Sequence, residues 1–355
     1  MIGPQRANNL LVTAILGIRV SRSTVGTMYT DFFGLQKLPF NLTPDPAFLY
    51  LPPKHREALA GLTYAILERK GFAVLTGDAG TGKTTLINSV LNRLPAERVE
   101  TSIILNPTLT PSEFLEIVML DFDITDVPAS KAQRLWKFQE FLARTHHQGR
   151  YAVLVIDEAH KLSTEVLEEI RLLGNYESAS EKFLQIVLLG QSELDGLLNR
   201  QDLRQFKQRI ALRLYIDPLA VLETHQYIRF RWAKAGAQDA PPFSQEGLNL
   251  IAQLSHGIPR VINSLCDSAL LMAYSDESPL VGSNYIRDAA ANLGMIDALP
   301  HPAESLPGDK PVPPILFPKA PLEDTFVPKL ESYGGSSKAN SSLMKRLSEK
   351  FGLPH

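Results

Sequence analysis

The sequence predicts an α/β protein: a doubly wound parallel sheet with helices on both faces, followed by a small all-helical lid. Three observations predict it. Short apolar, β-branched runs at 72–75, 101–105, 151–156, 186–191 and 211–216 alternate with segments of helical periodicity. A glycine-rich turn over 77–82 separates the first run from a helix that opens at Lys83. Beyond Asp217-Pro218 the pattern is wholly helical, at 223–235, 244–255, 259–274 and 283–293, with Ser244 and Ser283 as candidate N-caps. Such a sheet binds its ligand at the carboxyl edge of the strands.

The composition sets the outer bounds. A chain of 355 residues can bury a sizeable core in two modest domains, and its 44% apolar and 21% charged residues are ordinary for a globular protein. A net charge of −2 argues against a polybasic coat for nucleic acid. The lone cysteine, Cys266, lies in an apolar helical run, which excludes an internal disulfide framework and reads as a packing thiol. No window approaches 18 uninterrupted apolar residues, so no membrane span is expected.

Residues 1–27 carry Arg6, Arg19 and Arg22 and no acid. They read as a disordered extension upstream of an initiator at Met28. From Met28 to Tyr50, aromatics alternate with turn formers. This is an irregular segment that either packs into a core or wraps a base. An amphipathic helix follows over 54–70, apolar at Leu59, Leu62, Ala65 and Ile66.

The turn itself carries the strongest signal. Gly77, Gly82, Lys83 and Thr84 stand at the spacing G-x-x-x-x-G-K-[ST] of the phosphate-binding loop. Glycines let successive N–H groups curl around a phosphate, and the helix N-terminus adds partial positive charge. The predicted phosphate contacts are Gly77, Asp78, Ala79, Gly80, Thr81, Gly82, Lys83, Thr84 and Thr85. Lys83 would neutralise the β- and γ-phosphates of ATP, and the Thr84 hydroxyl would ligate Mg²⁺.

Helices are expected from Pro111 and over 131–145, the first opened by Thr110-Pro-Ser-Glu113. The run at 151–156 ends in Asp157-Glu158, the Walker B pattern: Asp157 would hold Mg²⁺ and Glu158 would orient and deprotonate water. The strand at 186–191 ends in a polar Gln191, in a position suited to sensing a γ-phosphate. One helix is expected over 195–208. In the lid, Gly257-Ile-Pro-Arg260 could set a guanidinium over the γ-phosphate. Prolines from Pro300 to Pro314 make 297–329 an extended linker. Leu343, Leu347 and Phe351, among Lys345, Arg346 and Lys350, form either a short docking face or a solvated tail. The expected division is thus 1–27 extension, 28–216 nucleotide-binding domain, 217–296 lid, and 297–355 linker and tail.

With these motifs in this order, the chain resembles an AAA+ ATPase, most closely the ExeA/GspA type of general secretion pathway assembly. The resemblance rests on Phe32-Phe-Gly-Leu35, Pro39-Phe40, Thr43-Pro-Asp-Pro46, Phe48-Leu-Tyr50, His55-Arg-Glu-Ala58, Asp157-Glu-Ala-His160, Leu189-Gly-Gln191 and Tyr227-Ile228. It spans 28–295 and extends to ATPases beside exosortase and polysaccharide-export systems, and more distantly to those of transposition. It implies an arginine finger acting on a neighbour's ATP, hence a homo-oligomeric ring or spiral. Arg209 matches best, with Arg204 and Arg213 as alternates, and a surface salt bridge is the competing role for Arg209. Arg260 matches the sensor-2 arginine, with helix capping as its competing role. Gln191 departs from the Asn, Ser or Thr usual at the sensor position. The implied setting is cytoplasmic or peripheral at the inner membrane, with a protein partner in secretion or export. The alternative is a DNA-dependent ATPase of transposition type, forming filaments on duplex DNA.

Overall fold

A computed structural model describes residues 28–296 apart from Pro44, Asn106 and 179–180. The expectations for 1–27 and 297–355 lie outside the described residues. Five strands, β1 (Phe72–Thr76), β2 (Val99–Ile104), β3 (Tyr151–Ile156), β4 (Leu184–Gly190) and β5 (Ile210–Tyr215), form one parallel sheet in the order β2-β3-β4-β1-β5. The chain leaves β1 for the far edge at β2, returns through β3 and β4, then crosses to β5. β1 therefore ends where connections depart in opposite directions, the crevice in which such sheets bind ligands.

Every residue of β1, β3 and β4 is buried, as strands covered on both faces require. Alternate residues serve two cores. Phe72, Val74, Leu154, Ile156, Ile186 and Leu188 face α4 (Pro111–Asp121), α5 (Lys131–His147) and α6 (Thr164–Leu173). Ala73, Leu75, Val153, Val155 and Leu189 face α2 (Pro53–Leu67) and α3 (Lys83–Arg93). The two-residue period of the strand makes this division without any further device.

Local chemistry fixes the element ends. Helix α4 starts at the Thr110-Pro-Ser-Glu113 run as expected, and there Thr110 and Glu113 close a capping box. Helix α6 answers to a signal that the sequence reading passed over. Ser163 accepts from the Val166 amide, and Val166, Leu167, Ile170 and Leu173 bury one face. The helix expected over 195–208 is divided into α7 (Ser192–Leu198), a 3-10 turn (Gln201–Leu203) and α8 (Arg204–Lys207), because Arg200 adopts an extended conformation.

The last four helices are α9 (Val221–Lys234), α10 (Gln245–Ser255), α11 (Pro259–Ser275) and α12 (Ser283–Asn292). Ser244 caps α10 as expected, accepting from Gly247. Ser283 does not cap α12: Gly282 holds that position with no side-chain bond. The helices share one core around Ile228, Trp232, Ile251, Leu265, Cys266 and Ile286. Burial pushes the Cys266 thiol pKa up, as expected of a packing thiol.

The segment before α2 joins this second core rather than the sheet. It opens with α1 (Met28–Phe32), and Tyr29, Leu35, Phe40 and Phe48 are buried among the lid helices. The sequence reading groups these residues with 51–216, but their apolar faces pack elsewhere. Arg231 is the anchor: its Nε donates to the Pro39 carbonyl at 2.5 Å, one Nη to that of Asn41 at 3.3 Å and the other to the Tyr227 hydroxyl at 2.9 Å. The Phe48 ring lies 4.9 Å from its guanidinium carbon. A buried charge needs such satisfaction.

Tyr29 donates a short hydrogen bond to the Asp267 carboxylate on α11, whose pKa burial raises. A carboxyl whose folded pKa exceeds its unfolded value contributes stability below the unfolded value and loses it as pH rises through the folded one. Tyr29→Phe removes the donor that moderates this. We predict that it lowers unfolding free energy at neutral pH by about 1 kcal/mol. The deficit should shrink toward about pH 3, where the carboxyl is protonated in both states; denaturant melts at the two pH values check it.

Candidate functional site

The phosphate loop runs from the end of β1 into α3, at the carboxyl edge of the sheet. Gly80 has φ +80°, and a Cβ there would lie 2.9 Å from Arg260 Cβ and 3.1 Å from Ile258 Cγ2. Only glycine suits both the left-handed backbone and that approach. The amides of Ala79, Gly80 and Gly82 donate to no backbone carbonyl among the described residues. They and the first turn of α3 form a concave set of donors fitted to an anion.

Lys83 is buried, and its Nζ donates to the carbonyls of Gly77 at 2.7 Å and Asp78 at 2.8 Å. Burial pulls its pKa below the usual lysine range, while Asp157 and Glu158 oppose that shift. Thr84 Oγ1 donates to Asp157 Oδ2 at 2.6 Å. The two motifs, 73 residues apart in sequence, thus meet side chain to side chain. A hydroxyl beside a carboxylate is an all-oxygen donor set, which fits Mg²⁺ held largely by phosphate and water.

At Glu158 the backbone is left-handed, φ 53°, and its N–H donates to Asp157 Oδ1 at 2.8 Å. A non-glycine residue in that region costs free energy and marks a site held by its surroundings. The half-exposed Glu158 carboxylate lies 3.1 Å from Lys161 Nζ and 3.7 Å from His160 Nε2. Gln191 follows β4, between the ends of β1 and β3, and its N–H donates to His160 Nδ1 at 3.4 Å.

The lid meets the loop directly. Arg260 N–H donates to the Gly80 carbonyl at 3.3 Å, and the exposed Arg260 side chain springs from the first turn of α11 beside the loop. Gly257 makes that turn possible, since a Cβ there would fall 1.9 Å from the Leu219 carbonyl oxygen. The Leu219 N–H in turn donates to the Gly257 carbonyl at 2.8 Å.

Three arginines stand apart from this cluster. Arg209 precedes β5 at the opposite, amino edge of the sheet, one strand length (roughly 15 Å) from the loop. It donates to Asn175 Oδ1 and, at 3.3 Å, to the Arg171 carbonyl, so its partners are polar rather than the carboxylate of a salt bridge. Arg213 pairs with Asp195 at 3.3 Å, and Arg204 is exposed at the start of α8.

Two histidines near the site carry no role in the sequence reading. Buried His55 lies on α2, and its Nε2 donates to the Thr81 carbonyl at 3.0 Å, bracing the loop from behind. Burial lowers its pKa, which keeps the ring neutral. The other is His160. Both stand in boxes quoted above for the resemblance, but only their packing discloses what they touch.

A family model described as "AAA domain" matches residues 66–198. The chain is 41% identical over 249 residues to general secretion pathway protein A of Aeromonas hydrophila, which covers 70% of this chain and 45% of that protein. It therefore spans about half the length of this curated relative. Among solved structures, the Drosophila ORC bound to DNA has a TM-score of 0.57 at 19% identity, covering 82% of this chain and 74% of that one. The Aeropyrum pernix ORC1 protein in complex with DNA has 0.56 at 19%, covering 72% and 69%. The Aeropyrum pernix ORC2 protein in its ADPNP-ADP complexes has 0.54 at 16%, covering 69% and 70%. Likeness at that identity concerns the fold alone.

Gly80→Ala should cost about 1–2 kcal/mol from the left-handed backbone and push the lid off the loop. Gly196→Ala, inside α7 with open space around its Cβ position, should instead stabilise by about 0.5–1 kcal/mol. Thermal melts of the pair, read beside nucleotide affinity, test the contact.

Proposed function

The chain carries an AAA domain on the P-loop AAA+ fold and is related over its matched length to general secretion pathway protein A, and from that premise we propose that it binds ATP with Mg²⁺ and hydrolyses it. The observation that carries the proposal is the 2.6 Å contact between Thr84 and Asp157. A triphosphate in the loop would lie between the Lys83 ammonium and the acidic pair closing β3.

Lys83 would give up its two backbone carbonyls for the β- and γ-phosphate oxygens. Its desolvated ammonium would interact there more strongly than in water. Thr84 and Asp157 are the residues to hold Mg²⁺, which neutralises phosphate charge when bound. Glu158 would accept the proton of a water attacking the γ-phosphorus, so that the bond to the β-phosphate oxygen breaks and ADP and phosphate leave. Gln191 and Arg260 flank the position expected of the γ-phosphate.

Arg209 is too far from its own loop to act there, which supports action on a neighbour's nucleotide. Hydrolysis would then need a ring or open spiral, with the Asn175 contact released on assembly. The biological reading is an assembly or remodelling factor in an envelope secretion or export system, cytoplasmic or peripheral at the inner membrane through a partner. The identity to the secretion protein supports it, and no helix among the described residues is long and apolar enough to cross a membrane.

Lys83→Ala should abolish ATP binding in calorimetry. Glu158→Gln should bind ATP and turn it over at least about 100-fold more slowly, and near-normal turnover would remove Glu158 as the base. Duplex DNA at fixed salt should leave wild-type turnover unchanged, whereas strong stimulation would favour the transposition-type alternative.

Arg209→Ala should bind ATP and lose about 10³-fold in turnover. Mixing it with Lys83→Ala protein should restore activity at mixed interfaces. A mixture that stays inactive after mixed oligomers are shown to form would remove the support for action in trans, whereas an Arg209→Ala protein that keeps its turnover would pass the role to Arg204 or Arg213.

A further inference from the structure

His160 occupies the middle of a single 3-10 turn (Ala159–Lys161) directly behind the acidic pair, with its side chain 12% exposed. It touches two elements that the mechanism uses separately. Its Nδ1 accepts from the Gln191 backbone N–H at 3.4 Å, and its Nε2 lies 3.4 Å from the Gln191 side-chain amide nitrogen. The same Nε2 lies 3.7 Å from Glu158 Oε2. Its ring nitrogens thus lie within hydrogen-bond or ion-pair distance of both Gln191 and Glu158.

We propose that His160 is a positioning residue that relays the state of Gln191, at the end of β4, to the carboxylate of Glu158. The proposal rests on the ATPase reading above and adds a residue to it. With Nδ1 accepting from a backbone N–H, a neutral imidazole carries its hydrogen on Nε2. That hydrogen faces two acceptors in competition: the Glu158 carboxylate, and the Gln191 side chain whenever its amide turns its oxygen inward. At 3.7 Å the Glu158 contact is longer than a hydrogen bond and closes with a small rotation.

When the Gln191 amide turns to a γ-phosphate it leaves Nε2, and the hydrogen passes to Glu158 alone. The carboxylate is then drawn from Lys161 and held by one oxygen, leaving the other to receive the water's proton. Without the imidazole, ATP still binds, because Lys83, Thr84 and the loop amides are untouched. The carboxylate loses its orientation, and only the rate suffers.

The test compares His160→Phe, which keeps the ring shape without nitrogen, with His160→Gln, whose amide nitrogen can stand where Nε2 stands. Melting temperatures confirm folding, a fluorescent ATP analogue reports affinity, and steady-state assays separate kcat from KM. His160→Phe should lower kcat about 10–100-fold, while KM and the analogue's dissociation constant stay within about twofold. His160→Gln should recover most of the loss. Combining Gln191→Ala with His160→Phe should lower kcat by less than the product of the two single losses, as expected of two residues that share one contact.

A folded His160→Phe protein with wild-type kcat overturns the relay. So does one whose affinity falls in step with kcat, or a double variant whose losses simply multiply. If His160→Phe does not fold, a His160→Gln protein that folds and loses kcat as heavily as Glu158→Gln overturns it as well. Wild-type protein with no turnover in any oligomer overturns the ATPase reading and this one with it; the other outcomes leave that reading standing.

Discussion

The parallel register of β1, β4 and β3 is the constraint on which the site depends. Thr76 of β1 is level with Gly190 of β4, and Ile156 of β3 with Leu188. The chain therefore leaves all three strands at nearly one height, with β4 between the two that carry the motifs. Thr84, one residue into α3, can then reach Asp157 across the end of β4. Side chains on a strand alternate between faces, so a slip of one residue in either pairing would turn the covered faces over and separate the motifs together. The two cores that fix the register are built mainly of apolar side chains, with Ser102 and Gln185 as buried polar residues on the strands, so the site inherits its geometry largely from packing.

The site and the lid are joined by backbone as much as by side chains. Gly80 and Arg260 meet through a main-chain hydrogen bond, and Gly257 lets Leu219 pass at a distance no other residue would allow. Neither contact involves a charged head group. The Arg260 guanidinium is left outside both, on the solvent side of the junction.

Much of this was open to reading in the residues themselves. The strands show as β-branched runs of the right length, the loop as a fixed spacing of Gly, Lys and Thr, the start of α4 as Thr110-Pro-Ser-Glu113, and the α10 cap as Ser244. What escaped depends on contacts distant in sequence or on single backbone angles. Arg231 lies 192 residues from the Pro39 carbonyl it holds, so no local pattern could assign Tyr29 and Phe40 to the lid core. The break before the 3-10 turn comes from one extended residue, Arg200, in an otherwise helical stretch. His160 looked like the tail of an acidic motif, and only the fold brings Gln191, 31 residues on, against its ring.

The route of the polypeptide between the two cores has a mechanical consequence. It crosses twice, once at 50–52 and again at 216–219, because residues 29–48 are packed with the helices that come last. A body tied at one point can tumble, whereas one tied at two can swing only about the line through both. Arg231 and Tyr29 clamp the leading segment to that body, so the swing carries 28–48 with it. Any force a neighbouring molecule applied to the leading segment would be delivered as torque on Arg260 above the phosphate loop.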